Sequence, residues 1–481
     1  MYHRNLVLCA LLVIASIAAP PPPGARRLRP AHSQVVRGEP AAELYMYQQP
    51  VGPDLTRWYT GAKYEPKLGC YLGAFIDFDG DLRQTVTDAN HIVHRDPKEF
   101  EAITGRTHAT YFFYLGYGKP LPLAWVKHLA AEGKMVQVAL EPNDGMESVR
   151  DGAYLTQLAQ QMKASGAHIF LRFGAEMNGS WTAYHPDPAL FREKFRLVHD
   201  VMARLAPNVA MVWCPYMIPT KGMDAYYPGD DAVDWVGVNM YSVTLHNNLW
   251  TEPGAEEHPC DLLRYVYDHY AARKPIMICE YGATHDAAAE DRTRASFAIR
   301  AILTLYASLP RIYPRVKCIN YFDGDAIHFV PGHPYNDYSI TDDPTITAAY
   351  REAISSPWFL GAEEPADDPP AAEPMPLLAG TRLSGLVHLT CWARGRSDRV
   401  VVRYFVDGRG IYAAALPNDW DFTWDSGSVK PGLHRITLRV FNSAWHVIAS
   451  KSVLVRTGPA LPVVPPPPAG SRHHARRRRR K

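Results

Sequence analysis

With 481 residues, 47% hydrophobic, 11% aromatic and 21% charged, the chain is too long for one small core and too apolar to be disordered. At roughly 100 to 200 residues per domain, with α/β barrels reaching about 250 or more as one unit, it predicts two domains plus tails. The formal charge of +2, from 51 Lys and Arg against 49 Asp and Glu, argues against a dedicated nucleic-acid binder, but the charge is unevenly placed. Residues 471–481 hold seven positive charges and no negative one; without them and Arg4 the remainder carries −6.

The N-terminus reads as an export signal over residues 1–18. His3 and Arg4 form a short basic start, residues 6–15 are unbroken apolar, and Ser16 and Ala18 supply small side chains before a cut after Ala18. An uncleaved anchor is the alternative, for which the run falls short of the usual 20 or so residues. A secreted protein, soluble outside the cytoplasm or associated with the cell surface, is expected. Residues 19–57, rich in Pro and Arg at their start, read as a leader, 58–360 as a large folded region, and 361–376, with the string EEPADDPPAAEP, as a linker. A second folded region covers 377–457, and 458–481 form a proline-rich spacer and basic tail. Beyond the signal, Cys70, Cys214, Cys260, Cys279, Cys318 and Cys391 are scattered without zinc-site spacing, so neither a structural metal nor a cofactor is expected. Disulfides and buried thiols both remain open.

In the large region short apolar runs alternate with helical patterns. Strands are expected at 71–77, 110–116, 135–141, 169–174, 209–214, 235–240, 276–280 and 316–322, with amphipathic helices between them. Eight strand–helix units in about 300 residues predict an α/β fold of the (β/α)8 TIM-barrel class. An open doubly wound sheet is the alternative, but no GxGxxG turn follows the first strand.

Barrel chemistry sits at the C-terminal strand ends. Acids and aromatics gather there: Asp77 and Asp79 after the first strand, Glu141 at the third, Glu176, Asn178 and Trp181 after the fourth, and Trp213 and Tyr216 at the fifth. Asn239 and Tyr241 follow at the sixth strand, Glu280 and Tyr281 at the seventh, and Phe322 and Asp323 at the eighth. Such a mixture suits a sugar site, because aromatic faces stack on pyranose rings while carboxylates bind hydroxyls and move protons. Period-2 alternation puts Arg172 and Gly174 on an inward face leading to Glu176, and Ile276 and Ile278 on one leading to Glu280. Arg172 would then lie below the site, where its charge keeps a nearby nucleophile ionised.

Two segments are more specific, RFGAEMNGSW from Arg172 to Trp181 and IMICEYG from Ile276 to Gly282. With the stretch VDWVGVNMY from Val233 to Tyr241, they resemble glycoside hydrolase family 26, the β-mannanase family of retaining (β/α)8 enzymes, from about Gly73 to Trp358. The resemblance implies Glu176 as acid/base and Glu280 as nucleophile, with Tyr241 near the nucleophile. Arg172, Asn178, Trp181, Trp213 and Asp77 are the further candidate substrate contacts at the strand ends. The resemblance also implies an endo-β-mannanase-like enzyme acting on a β-linked polysaccharide, β-mannan or a related β-glycan; a monomer is expected. The family motif has His where this chain has Ala175, and Tyr184 stands where mannanases usually carry Trp. A non-catalytic carbohydrate-binding or adhesion protein on a hydrolase-derived barrel is the competing reading.

The small region reads as all-β. Ile436, Leu438 and Val440 alternate with Arg435, Thr437 and Arg439, and Asp407-Gly408 and Lys430-Pro-Gly432 mark turns. An immunoglobulin-like β-sandwich is expected, resembling those appended to bacterial secreted hydrolases, with Trp392, Tyr412, Trp420, Trp424 and Trp445 either a carbohydrate-binding face or core. The basic tail is either solvated or tethers the protein to an anionic cell-wall polymer. No specific nucleic-acid partner is expected.

Overall fold

Apolar runs separated by amphipathic segments can pair in parallel only if a crossover returns each strand to the same end. The computed structural model, which describes residues 35, 37–48, 59–88, 90–330, 335–363, 373–396 and 399–458, has this arrangement. Its barrel strands are Cys70–Phe78, Thr110–Gly116, Met135–Glu141, Ile169–Phe173, Val209–Trp213, Trp235–Ser242, Ile276–Ala283 and Val316–Gly324. Each pairs in parallel with the next, and the eighth returns to the first with Cys318 opposite Tyr71, so the sheet closes into a (β/α)8 barrel.

The surrounding helices start where the sequence caps them. Asp187 accepts from the amides of Ala189 and Leu190, with Pro188 in the first turn, and the helix Pro188–Leu205 then buries Phe191, Phe195, Val198 and Met202 at three- and four-residue spacing. Met135, Phe170, Trp235 and Met277 meet in a compact cluster inside the N-terminal end of the barrel, whereas Ile169, Leu171, Ile276 and Ile278 belong to the larger core shared with the helices. All six cysteines outside the signal-like segment are buried free thiols. No helix among the described residues is long and apolar enough to cross a membrane.

The C-terminal region contains two sheets. Glu373–Pro376, Ala41–Gln48, Leu386–Arg394 and Phe422–Asp425 form one; Arg382–Leu383, Val447–Thr457, Gly432–Phe441, Val401–Val406 and Arg409–Ala414 form the other. Leu44, Leu389 and Cys391 share a core with Val402, Leu438 and Val455. The expected leader and linker are corrected here. Ala41–Gln48 is a strand inserted between Glu373–Pro376 and Leu386–Arg394, so part of each connecting segment belongs to the sheet. Residues 1–34, 49–58, 364–372 and 459–481, which include the signal-like segment, most of the linker and the basic tail, lie outside the described residues.

The small unit sits against the barrel helix Ala295–Ile312 and the start of Pro259–Tyr270. Arg394 makes a two-pronged pair with buried Asp261 at 2.7 and 2.9 Å, and Asp261 also accepts from the Gly38 amide. Trp392 donates to Ser308 at 3.1 Å. Leu44 is 2% exposed, so Leu44→Ala is expected to destabilise the protein by about 3 kcal/mol, as deleting a buried leucine does. Chemical denaturation followed through the sandwich tryptophans checks this; a leader residue would give no change.

Candidate active site

The fourth barrel strand ends at Phe173, and the next residues leave the regular ladder. Gly174 has φ 57° and Glu176 φ 60°. A left-handed glutamate is uncommon and costs on the order of 1–3 kcal/mol, and such conformations gather at functional sites. Glu176 is nevertheless fully determined: its amide donates to the Cys214 carbonyl at 2.8 Å, its Oε1 accepts from Asn239 Nδ2 at 2.9 Å, and its Oε2 accepts from Trp181 Nε1 at 2.9 Å. The indole folds back because residue 179 is glycine; a Cβ there would lie 2.3 Å from the Trp181 ring.

Glu280 reaches the same end of the barrel by a different device. The expected alternation is corrected: Met277 and Cys279 join the interior cluster, whereas Ile276 and Ile278 pack in the outer core. Between Ile278 and Glu280 the seventh strand slips by one residue against the sixth, placing Ile278 opposite Val238 but Glu280 opposite Asn239. This bulge turns Glu280 inward after an inward Cys279. Its Oε1 accepts from Tyr114 at 2.7 Å and lies 2.6 Å from an Arg172 nitrogen, and its Oε2 accepts from Tyr241. Arg172, fully buried above the Phe112 and Tyr114 rings, also donates to Asn239 Oδ1 at 3.1 Å. Glu176, Asn239, Arg172 and Glu280 therefore form one continuous polar chain in the barrel mouth.

The electrostatics single out Glu176. Burial, and next the charge of Glu280, push Glu176 up to about 8. Burial and Glu280 also raise the Tyr114 and Tyr241 phenols, which stay protonated as donors to that carboxylate. A third carboxyl, Glu141, is pushed up to about 7 chiefly by burial and accepts from Tyr184 at 2.8 Å and from the Ala175 amide at 3.2 Å.

Of the other residues singled out by sequence, Tyr241 and Trp181 touch the two glutamates directly. Asn178 does not: its amide nitrogen donates to the carbonyls of Tyr216 and Pro219 and its oxygen accepts from the Tyr216 amide, so it fixes the loop after the fifth strand. Trp213 is buried against Tyr227 and Tyr270 in the outer core, because its neighbour Val212 takes the inward position. Asp77 accepts from His94 at 2.9 Å and from the Arg95 amide at 3.2 Å, tying down the Thr85–Thr87 and Val93–Arg95 hairpin. Asp79 accepts from the Asp81 and Leu82 amides and the Thr341 hydroxyl, and burial together with Asp79 raises Asp323 well above the carboxylate range. Among the described residues one grouping could hold a metal ion, His285, Asp337 and Asp342. Burial opposes a charge on His285, but Asp337 at 3.2 Å and Asp342 at 3.5 Å raise its pKa, the setting of an ion pair. Tyr114 was missed by sequence reading, and Tyr184, noted there only as a departure from the family Trp, holds Glu141. Tyr114 lies in the run TYFFYLG, where four successive aromatics hide the parity.

Residues 119–252 match the family model of glycosyl hydrolase family 26. The matched stretch lies within the barrel. It includes Arg172, Glu176 and Tyr241 and ends before Glu280. Endoglucanase H of Acetivibrio thermocellus is 24% identical over 359 residues, which is 67% of this chain but 37% of the endoglucanase. The β-1,3-xylanase TXYA of a Vibrio species is 28% identical over 115 residues, 22% of this chain and 24% of the xylanase. The chain thus spans well under half the length of either relative. The Bacteroides ovatus β-mannanase BoMan26A superposes with a TM-score of 0.43 at 14% identity, covering 65% of this chain and 96% of the mannanase.

The elevated pKa of Glu176 has a thermodynamic signature. An unfolded glutamate ionises near its ordinary 4.5, the folded one near 8. Stability from the buried neutral carboxyl is therefore complete below about 4.5 and lost as pH rises through about 8. Glu176→Gln keeps a neutral side chain throughout, so its melting temperature should fall less than that of the wild type between about pH 5 and 8.5. Parallel melting curves against pH for the two proteins would remove this assignment.

Proposed function

We propose that the chain is a β-glycoside hydrolase acting on a β-linked polysaccharide by retaining double displacement. The observation that carries this is the pairing of a buried, proton-holding Glu176 with a Glu280 that faces a guanidinium and accepts from two phenols. Two carboxyls in one site with opposed electrostatic settings are what an acid/base and a nucleophile need. Glu176 gives its proton to the glycosidic oxygen as Glu280 attacks the anomeric carbon; the resulting glycosyl ester is then hydrolysed by water deprotonated by Glu176. Tyr114, Tyr241 and Arg172 position the nucleophile and offset the charge that it regains when the ester breaks. Trp181, bonded to Glu176 and partly exposed, is the candidate sugar platform.

The endoglucanase and β-1,3-xylanase relatives support a β-linked glycan as substrate and leave mannan as one candidate among several. The signal-like N-terminus supports export. The two C-terminal sheets of four and five strands support an immunoglobulin-like accessory module, and the basic tail a contact with anionic cell-wall polymer. The protein is proposed to act as a monomer.

Hydrolysis of mannan, glucomannan, mixed-linkage glucan and β-1,3-xylan tests the reading. On the accepted substrate Glu176→Gln is expected to lower kcat by about 10²- to 10⁴-fold, the range for a general acid/base, and Glu280→Gln to leave background turnover. Wild-type kcat should fall as pH rises through about 8 because Glu176 must start protonated. NMR of the first-formed anomer should show retention. Binding without hydrolysis of any glycan would favour the non-catalytic reading that Ala175 keeps in view, and an inverted product would exclude Glu280 as nucleophile.

A further inference from the structure

The five-stranded sheet turns one face away from the sandwich core, and that face has an unusual composition. On Val401–Val406, Val402, Tyr404 and Val406 point into the core while Arg403 and Phe405 point out; on Gly432–Phe441, Ile436, Leu438 and Val440 point in while Arg435, Arg439 and Phe441 point out. The register sets Arg403 directly opposite Arg439. Arg456 is exposed on the neighbouring strand and pairs across to exposed Arg382. Like charges facing each other across a sheet are destabilising, and no acid among the described residues is paired with Arg403 or Arg439. The strand residues of this face include no Asp or Glu, and Asp407 in the adjoining turn already accepts from His434 and the Arg435 amide.

The guanidiniums are held flat. Arg403 lies over the Trp445 ring at 5.5 Å and the Phe441 ring at 5.8 Å, and Arg439 lies over Phe405 at 4.7 Å. Stacking leaves the N–H edges of both guanidiniums free to meet a planar anion. Trp445 is 60% exposed in a tight turn, with φ 61°. Trp392, Trp420 and Trp424, by contrast, are core residues, and Tyr412 packs against that core stacked on Phe422, so the carbohydrate face considered for the five aromatics is reduced to Trp445 and its arginine neighbours.

We propose that this face binds an acidic polysaccharide, with the Arg403–Arg439 pair taking sugar carboxylates edge-on and Trp445 stacking on the apolar face of an adjacent sugar ring. The alternation of arginine with exposed aromatic surface fits a polymer that offers both a carboxylate and a sugar face; the choice of a glycan among polyanions rests on the glycosidase reading of the barrel. The face lies on the accessory unit, so binding here concentrates the barrel on acidic matrix without entering the reaction.

Affinity electrophoresis of the full chain in gels containing alginate or polygalacturonate, with glucomannan, duplex DNA and anionic phospholipid vesicles assayed alongside, tests this. The wild type should be retarded by the acidic glycans and not by glucomannan. Arg403→Gln/Arg439→Gln should weaken that binding about tenfold, the effect of losing about 1.4 kcal/mol over two charged contacts, and Trp445→Ala should weaken it as well. Both variants should keep wild-type hydrolysis of a neutral soluble substrate, and the double variant, relieved of a like-charge pair, should melt no lower than the wild type. Retention of binding in a chain that hydrolyses nothing would sustain this face while removing the enzymatic reading. Absence of retardation, undiminished binding in the double variant, or tighter binding to DNA or vesicles than to either glycan would overturn it.

Discussion

A single guanidinium buried in the barrel mouth is the constraint around which the site is arranged. A charge out of water is tolerable only with a well-aligned partner, and Arg172 is fully buried. Glu280 supplies the opposite charge, Asn239 accepts from another of its nitrogens, and the rings of Phe112 and Tyr114 cover its face. Each partner is in turn fixed by something else: Glu280 by Tyr114 and Tyr241, and Asn239 by its bond to Glu176. Displacing any member would strand a polar group in an apolar surround, so positional accuracy follows from desolvation rather than from any individually strong bond.

The two glutamates come from irregular backbone, and this decides how much of the site was legible in the sequence. The eight strands could be read because buried parallel strands are continuous apolar runs, and the structure closes them into a barrel. The motifs around Glu176 and Glu280 stood out by composition. Orientation did not. Counting residues by twos carried Ile276 and Ile278 to the interior, whereas the slip opposite Val238 and Asn239 reverses parity just before Glu280. Trp213 was drawn toward the site by residue type, yet Val212 holds the inward position at that level. Asn178 was a sugar contact by analogy, but both of its N–H groups are already donated to backbone carbonyls.

Nonlocal pairing was the other thing hidden. Nothing within residues 41–48 says that the partner of Leu44 is Cys391, and prolines and arginines upstream made the segment look like a tether. Its burial is intelligible only once the sheet is assembled, since the strand is flanked on both sides by segments more than 300 positions away. The same holds for Asp261, which reads as an ordinary helix-start acid until Arg394 arrives.

That strand reverses the apparent order of the domains. The barrel is, in topological terms, an insertion between the first strand of the sandwich and the rest of it. Ala41–Gln48 leaves the ribosome first among the described strands but finds its neighbours only after Glu373–Pro376 and Leu386–Arg394 have been made. Because domains fold as they emerge, the barrel matures while an apolar strand waits unpaired beside it. The barrel's folding thus brings the two ends of the sandwich together: it acts as a clamp that shortens the search for a contact otherwise separated by most of the chain.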